Sequence, residues 1–177
     1  YTGLELFGRV WFAQQPKLTI SLSYSDLDSK YGDSKFATIN DLTLVGEYRV
    51  YNEYKYGFSL NAGWLNQGVT YQLPGATKET DSFLTIGGKG NYVLADNLQA
   101  IGSVSYGFND FFKTTDDPKM TVLKGKAGVE YDFDQVPGLK LSAYYLYDKY
   151  TAKYENVAPD EALYSGFNLG ASYAFSF

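Results

Sequence analysis

The sequence predicts an all-β fold, an antiparallel up-and-down transmembrane β-barrel. Three observations carry that expectation. Apolar residues recur at every second position over most of the chain, the connections between these stretches alternate short and long, and aromatic residues gather at two depths. The composition agrees: 18 Tyr, 12 Phe and 18 Gly in 177 residues are high for a water-soluble domain, whereas sheets favour aromatics and crowded walls use Gly. A mean hydropathy of -0.28 and the lack of an apolar run near the length of a spanning helix exclude membrane helices. They leave spanning strands open, because strands hide their apolar content in alternation.

Nine strands follow in order. The first sets Leu4, Leu6, Gly8, Val10 and Phe12 against Glu5, Phe7, Arg9 and Trp11, and the second Leu18, Ile20, Leu22 and Tyr24 against Thr19, Ser21 and Ser23. In the third, Leu42, Leu44, Gly46, Tyr48 and Val50 oppose Thr43, Val45, Glu47 and Arg49; in the fourth, Tyr56, Phe58, Leu60, Ala62 and Trp64 oppose Gly57, Ser59, Asn61 and Gly63. The fifth places Leu84, Ile86, Gly88, Gly90 and Tyr92 against Thr85, Gly87, Lys89 and Asn91. The sixth turns Leu98 to Phe108 outward at even positions and Gln99, Ile101, Ser103 and Ser105 inward. The seventh opposes Leu123, Gly125, Ala127, Val129, Tyr131 and Phe133 to Lys124, Lys126, Gly128 and Glu130, and the eighth Leu139, Leu141, Ala143, Tyr145 and Tyr147 to Lys140, Ser142, Tyr144 and Asp148. The last carries Leu163, Phe167, Leu169, Ala171, Tyr173, Phe175 and Phe177 on one face.

The apolar sets contain no charged residue, and every charge in these strands falls on the other face. A Lys or Arg facing lipid at the bilayer midplane costs roughly 2–4 kcal/mol. The inward charges are Glu5, Arg9, Glu47, Arg49, Lys89, Lys124, Lys126, Glu130, Lys140 and Asp148. Alternation alone does not separate a lipid-facing wall from a soluble sandwich. Connection length does: the short links 14–17, 51–55, 95–97 and 134–138 alternate with the long ones 25–41, 65–82, 109–120 and 149–162. Short periplasmic turns and long extracellular loops are the pattern of spanning barrels.

Aromatic banding tests that orientation, since an amphipathic ring sits best at a membrane interface. Phe12, Tyr48, Tyr56, Phe58, Tyr92, Tyr131, Phe133, Tyr173 and Phe175 lie toward the short turns. Tyr24, Trp64, Tyr106, Phe108, Tyr145, Tyr147 and Phe167 lie toward the long loops.

The C-terminal segment Leu169, Ala171, Tyr173, Phe175 and Phe177 resembles the terminal strand of bacterial outer-membrane β-barrel proteins, with a final Phe preceded by apolar residues at alternate positions. The resemblance implies the bacterial outer membrane as location, lipid and lipopolysaccharide as surroundings, and recognition of Tyr173, Phe175 and Phe177 by the barrel-assembly machinery. It covers about ten residues; the rest of the chain is similar by pattern, without pointing to one member. Single-chain bacterial barrels have even strand counts, so nine strands put Tyr1 on the outer side and ask for at least one more. Ten is the simplest total; eight, with residues 2–13 outside the wall, and a larger porin-like barrel are the alternatives. Residues 1–177 then form one barrel domain, whole or the C-terminal part of a longer chain. No charged segment followed by an apolar run opens the sequence, so a signal peptide is expected to have been removed or to lie outside it.

No chemistry of catalysis is legible. With no Cys and no His there is no thiolate, disulfide or imidazole ligand, and the His-dependent mechanisms of outer-membrane barrel enzymes are closed to this chain. Glu47 with Glu130 or Asp148 would make an acid and base pair only if the lumen cations did not claim them. No catalytic, cofactor or metal residue is therefore predicted, and a net charge of -5 without a basic cluster excludes nucleic acid. Opposite charges in a narrow lumen should pair, which favours a plugged or tightly wet interior; the sharper alternative makes Lys89, Lys124, Lys126 and Lys140 an anion filter. Asp26, Asp28, Asp33, Asp116, Asp117, Asp160 and Glu161 read as solvated loop acids without Ca²⁺-loop spacing. Val69, Tyr71 and Leu73 before Pro74 and Gly75 predict a hairpin reaching beyond the membrane, whose edge could meet a surface partner. The expected function is a passive structural or surface-display wall; a pore for small solutes and a soluble lipocalin-like ligand carrier are the other readings.

Overall fold

A computed structural model describes residues 2–12, 14–31, 34–72, 78–112, 119–136, 139–153 and 158–173. The chain is all-β. Its strands are β1 (Thr2–Phe12), β2 (Gln15–Tyr31), β3 (Ser34–Asn52), β4 (Tyr56–Tyr71), β5 (Lys78–Ala95), β6 (Leu98–Phe108), β7 (Lys119–Asp132), β8 (Leu139–Lys153) and β9 (Asp160–Tyr173). Each pairs antiparallel with its sequence neighbours, in the order β1 to β9, and a single 3-10 turn, Asp110–Phe112, follows β6. Among the described residues the sheet is not closed: β1 pairs with β2 and β9 with β8, each on one side only.

All nine expected strands are present, and the short links stay short, although β2 begins at Gln15 and β3 runs to Asn52, inside the expected links 14–17 and 51–55. The long connection expected at 109–120 lies between Phe108 and Lys119, but the other three need correction. β2 runs on to Tyr31 and β3 begins at Ser34; β4 reaches Tyr71 and β5 begins at Lys78; β8 reaches Lys153 and β9 begins at Asp160. Most of what reads as loop is strand. The expected hairpin beyond Gly68 is there as far as Tyr71 and Lys78, with its tip, 73–77, outside the described residues.

The sheet curls strongly. Strands sit about 4.8 Å apart along a sheet, so β3 and β7, or β4 and β8, would be separated by some 19 Å in a flat one. Yet Lys124 on β7 is 2.5 Å from Asp41 on β3, and Gln67 on β4 donates to the Tyr150 hydroxyl on β8 at 2.6 Å. Part of the bend comes from glycines on the concave face. A Cβ at Gly87 would strike the Val104 carbonyl of β6, and one at Gly128 the Ala143 carbonyl of β8, so neighbouring backbones approach closer than any side chain permits.

Both faces then change character along the strands. From the short-turn ends to about Tyr24, Leu42, Trp64, Leu84, Leu123 and Leu163, the convex face is apolar and exposed, with Leu22, Leu44, Leu60, Ile86, Val104 and Leu141 all solvent-facing, and the concave face is polar. One step further toward the long-loop ends, at the next residue of the same face, the convex side becomes Asp26, Asn40, Asn66, Ser82, Thr121 and Glu161. These polar groups contact one another: Asn66 donates to the Ser82 hydroxyl at 2.9 Å, Thr38 to Asp28 at 3.2 Å, and Lys149 pairs with Glu161 at 2.8 Å. In this upper part the concave face becomes apolar. Leu65, Phe83, Val122 and Tyr150 form a buried cluster there, and Ala37 and Ile39 are buried on β3 of the same face.

Candidate functional site

The concave face holds the charged residues of the lower and middle parts of the strands, and it is organised in three levels. Nearest the short turns is a polar cavity of about 180 Å³, to which β1 contributes Arg9, β3 Glu47 and Arg49, β5 Lys89, β7 Glu130 and β8 Lys140. Asn52, Ser59, Asn91 and Gln99 complete its polar lining. Gln99 Nε2 donates to Glu130 at 3.0 Å, the Tyr144 hydroxyl donates to the other Glu130 oxygen, and Lys140 is 2.9 Å from Asp132. Lys89 sits within electrostatic reach of Arg9, Glu47, Glu130 and Lys126.

The middle level is a bridge across the curl. The Lys124 ammonium stands between Asp41 Oδ2 at 2.5 Å and Asp148 Oδ2 at 3.7 Å. Gln67 Nε2 donates to Asp41 Oδ1 at 2.8 Å and to the Tyr150 hydroxyl. Below the bridge, Lys126 lies 3.7 Å from the centre of the Tyr144 ring. Above it, the cluster of Leu65, Phe83, Val122 and Tyr150 fills the concave space. A third level opens toward the long-loop ends as a cavity of about 540 Å³ lined by Ile39, Val69, Met120 and Ala162, with Glu79, Asp81 and Asp160.

The inward residues read from the sequence come together as follows. Arg9, Glu47, Arg49, Lys89, Glu130 and Lys140 line one cavity, and Lys124 and Asp148 meet in the bridge. The side chain of Glu5 lies outside the described residues. The four lysines do not act as one ring: Lys124 and Lys140 hold carboxylates, Lys126 covers an aromatic face, and only Lys89 and Lys140 line the 180 Å³ cavity. Glu130 is bonded to Gln99 and Tyr144 rather than to a second carboxylate.

Of the aromatic residues, Tyr56 stacks on Tyr92 at 5.8 Å and Tyr131 meets Phe133 edge-on at 5.0 Å near the short turns. Tyr145 meets Phe167 at 5.3 Å and Tyr106 approaches Phe108 at 6.4 Å at the upper edge of the apolar band. Phe12, Tyr24 and Tyr48 are exposed on the convex face, and Trp64 is half-buried there. Tyr173 ends β9 opposite Leu139, whereas its side chain, with Phe175 and Phe177, lies outside the described residues. Asp26, Asp28, Asp160 and Glu161 are strand residues, correcting their assignment to loops; Asp33, Asp116 and Asp117 are outside the described residues. No group of three carboxylates suited to a metal ion occurs among the described residues.

Asp41, Gln67 and Tyr150 were missed by sequence reasoning because they fall inside the expected long loops. One signal could have found them: in 37–41 and 65–69 the period-2 alternation continues with its phase reversed, apolar residues moving to the face that was polar. No family model matches the chain, and no curated protein is similar to it.

Proposed function

We propose that this chain is the wall of an outer-membrane β-barrel, wetted by lipid around its lower convex band and by water above it. The inversion of polarity along single strands carries this reading. Soluble monomers rarely expose a contiguous apolar patch beyond a few hundred Å², and here an uncharged apolar surface spans all nine strands. The band is nine residues deep on β3 (Leu42 to Val50), β4 (Tyr56 to Trp64), β7 (Leu123 to Tyr131) and β9 (Leu163 to Ala171), the length a tilted strand needs to cross lipid. Contacting aromatic pairs at its two margins supply the interfacial belts. A lipocalin-like carrier would carry the opposite polarity in its lower half.

The short turns are then periplasmic, and the upper strands with their connections project outside the cell, where they are displayed to surface partners and lipopolysaccharide. Closure is part of the proposal. β1 and β9 run in the same direction, so joining them directly would make a parallel seam, whereas one further strand between them pairs antiparallel with both and gives ten. Phe167 and Leu169 on β9, 80% and 84% exposed, stand at that seam. Recognition of Tyr173, Phe175 and Phe177 during assembly rests on their resemblance to the terminal strand of such barrels.

A passive wall is favoured over a pore because the bridge of Asp41, Lys124, Asp148, Gln67 and Tyr150 and the cluster above it cross the interior. The test is depth labelling in lipid nanodiscs. Spin labels at Leu44, Leu60 and Val104 should be accessible to oxygen and shielded from a water-soluble nickel chelate, while labels at Asn40 and Asn66 should show the reverse. Water around Leu44, Leu60 and Val104 would overturn the membrane assignment.

A further inference from the structure

The lower cavity has an unbalanced charge that its own residues leave uncompensated. Its lining carries four cations, Arg9, Arg49, Lys89 and Lys140, and two carboxylates, Glu47 and Glu130. Lys140 is neutralised by Asp132 and Glu130 is engaged by Gln99 and Tyr144. Counting Asp132, four positive charges face three negative ones, an excess of one. Among the described residues, Arg9, Arg49 and Lys89 make no ion pair, although each lines the same cavity.

We propose that this cavity binds a small soluble oxyanion, a phosphate or a carboxylate, between Arg49, Lys89 and Arg9. Arg9 is exposed at the edge strand, whereas Arg49 and Lys89 are partly buried; partly buried cations without a counter-charge are costly, and an entering anion lowers that cost. Arg offers a planar fork matched to two oxygens, and Lys a point charge for the third. Asn91 and Gln99 add neutral donors at the wall. At about 180 Å³ the space lies below the range of roughly 300–1,000 Å³ typical of larger ligands and cofactors, so a single oxyanion fits and a nucleotide does not. Access is from the short-turn side, because the Lys124 bridge lies above the cavity. Glu47 is the carboxylate that competes with the anion. The 540 Å³ cavity at the opposite end contrasts with it: Glu79, Asp81 and Asp160 line it and no Lys or Arg does, so the two cavities carry opposite signs. The site requires the curl of the sheet and not lipid around it, so it stands or falls separately from the membrane reading.

Calorimetric titration of the folded full chain with inorganic phosphate, in a phosphate-free maltoside detergent, tests the site. Saturable binding is expected, competed by sulfate and acetate. Arg49→Gln and Lys89→Gln should each weaken it about tenfold or more, the loss of one charge-assisted hydrogen bond. Glu47→Gln should tighten it several-fold, an increase that a misfolded variant would not produce. A folded wild type without saturable phosphate binding overturns the proposal, as does affinity unchanged in Arg49→Gln and Lys89→Gln. So does occupancy seen only when phosphatidylglycerol is added to the micelles, which would make the ligand a lipid headgroup.

Discussion

The ammonium of Lys124 lies 2.5 Å from Asp41 Oδ2, a contact between residues 83 positions apart on β7 and β3. Asp148 on β8 stands 3.7 Å away on its other side. One cation thus holds two carboxylates, and its removal leaves both in confined space with their repulsion unscreened. Breaking a buried pair by deleting one partner costs about 3–5 kcal/mol. Lys124→Gln is expected to fall in that range by urea unfolding in micelles, and Asp41→Asn with Lys124→Gln to lose less than the sum of the single variants. Strict additivity would show that the bridge is not a coupled unit.

Tyr150 ties the bridge to the apolar cluster, since its hydroxyl accepts from Gln67 while its ring packs with Leu65, Phe83 and Val122. Tyr150→Phe should cost about 1 kcal/mol, one hydrogen bond. Tyr150→Ala should cost about 3–5 kcal/mol through the cavity it leaves. Equal losses in the two variants would mean that the ring contributes little packing.

Glycines on the two faces should respond differently. A Cβ at Gly128 runs into the Ala143 carbonyl and Tyr144, so Gly128→Val should destabilise by about 1–3 kcal/mol or block folding. On the convex face nothing lies within 4 Å of a Cβ at Gly102, and Gly102→Ala should change stability by no more than about 0.5 kcal/mol. Heat-modifiable gel migration together with urea midpoints would show whether the asymmetry holds.

Conductance tests the proposed passive wall. Wild-type protein in planar bilayers is expected to give no stable current steps. Phe83→Ala combined with Tyr150→Ala removes two large side chains from the cluster and should introduce them. Stable steps from the wild type would instead favour the pore.

The nine strands and the lower half of both faces were legible because period-2 alternation is a local property: successive side chains of a strand point to opposite sides whatever surrounds them. Arg9, Glu47, Arg49, Lys89, Glu130 and Lys140 could be placed inward on that ground alone. The upper ends of the strands were not, because the apolar residues change sides between Leu42 and Ile39 on β3 and between Trp64 and Leu65 on β4. A reading that follows one apolar face stops at the inversion and takes the remainder for loop.

What the sequence determined alone was which residues share a face. Partners across the interior were settled only by tertiary structure, because curvature is a property of the whole sheet. It brings β3 to β7 and β4 to β8, so that Asp41 meets Lys124, Gln67 meets Tyr150, and Arg9 of β1 shares a cavity with Lys140 of β8. No local pattern encodes those distances, since they depend on how tightly every intervening pair of strands is bent.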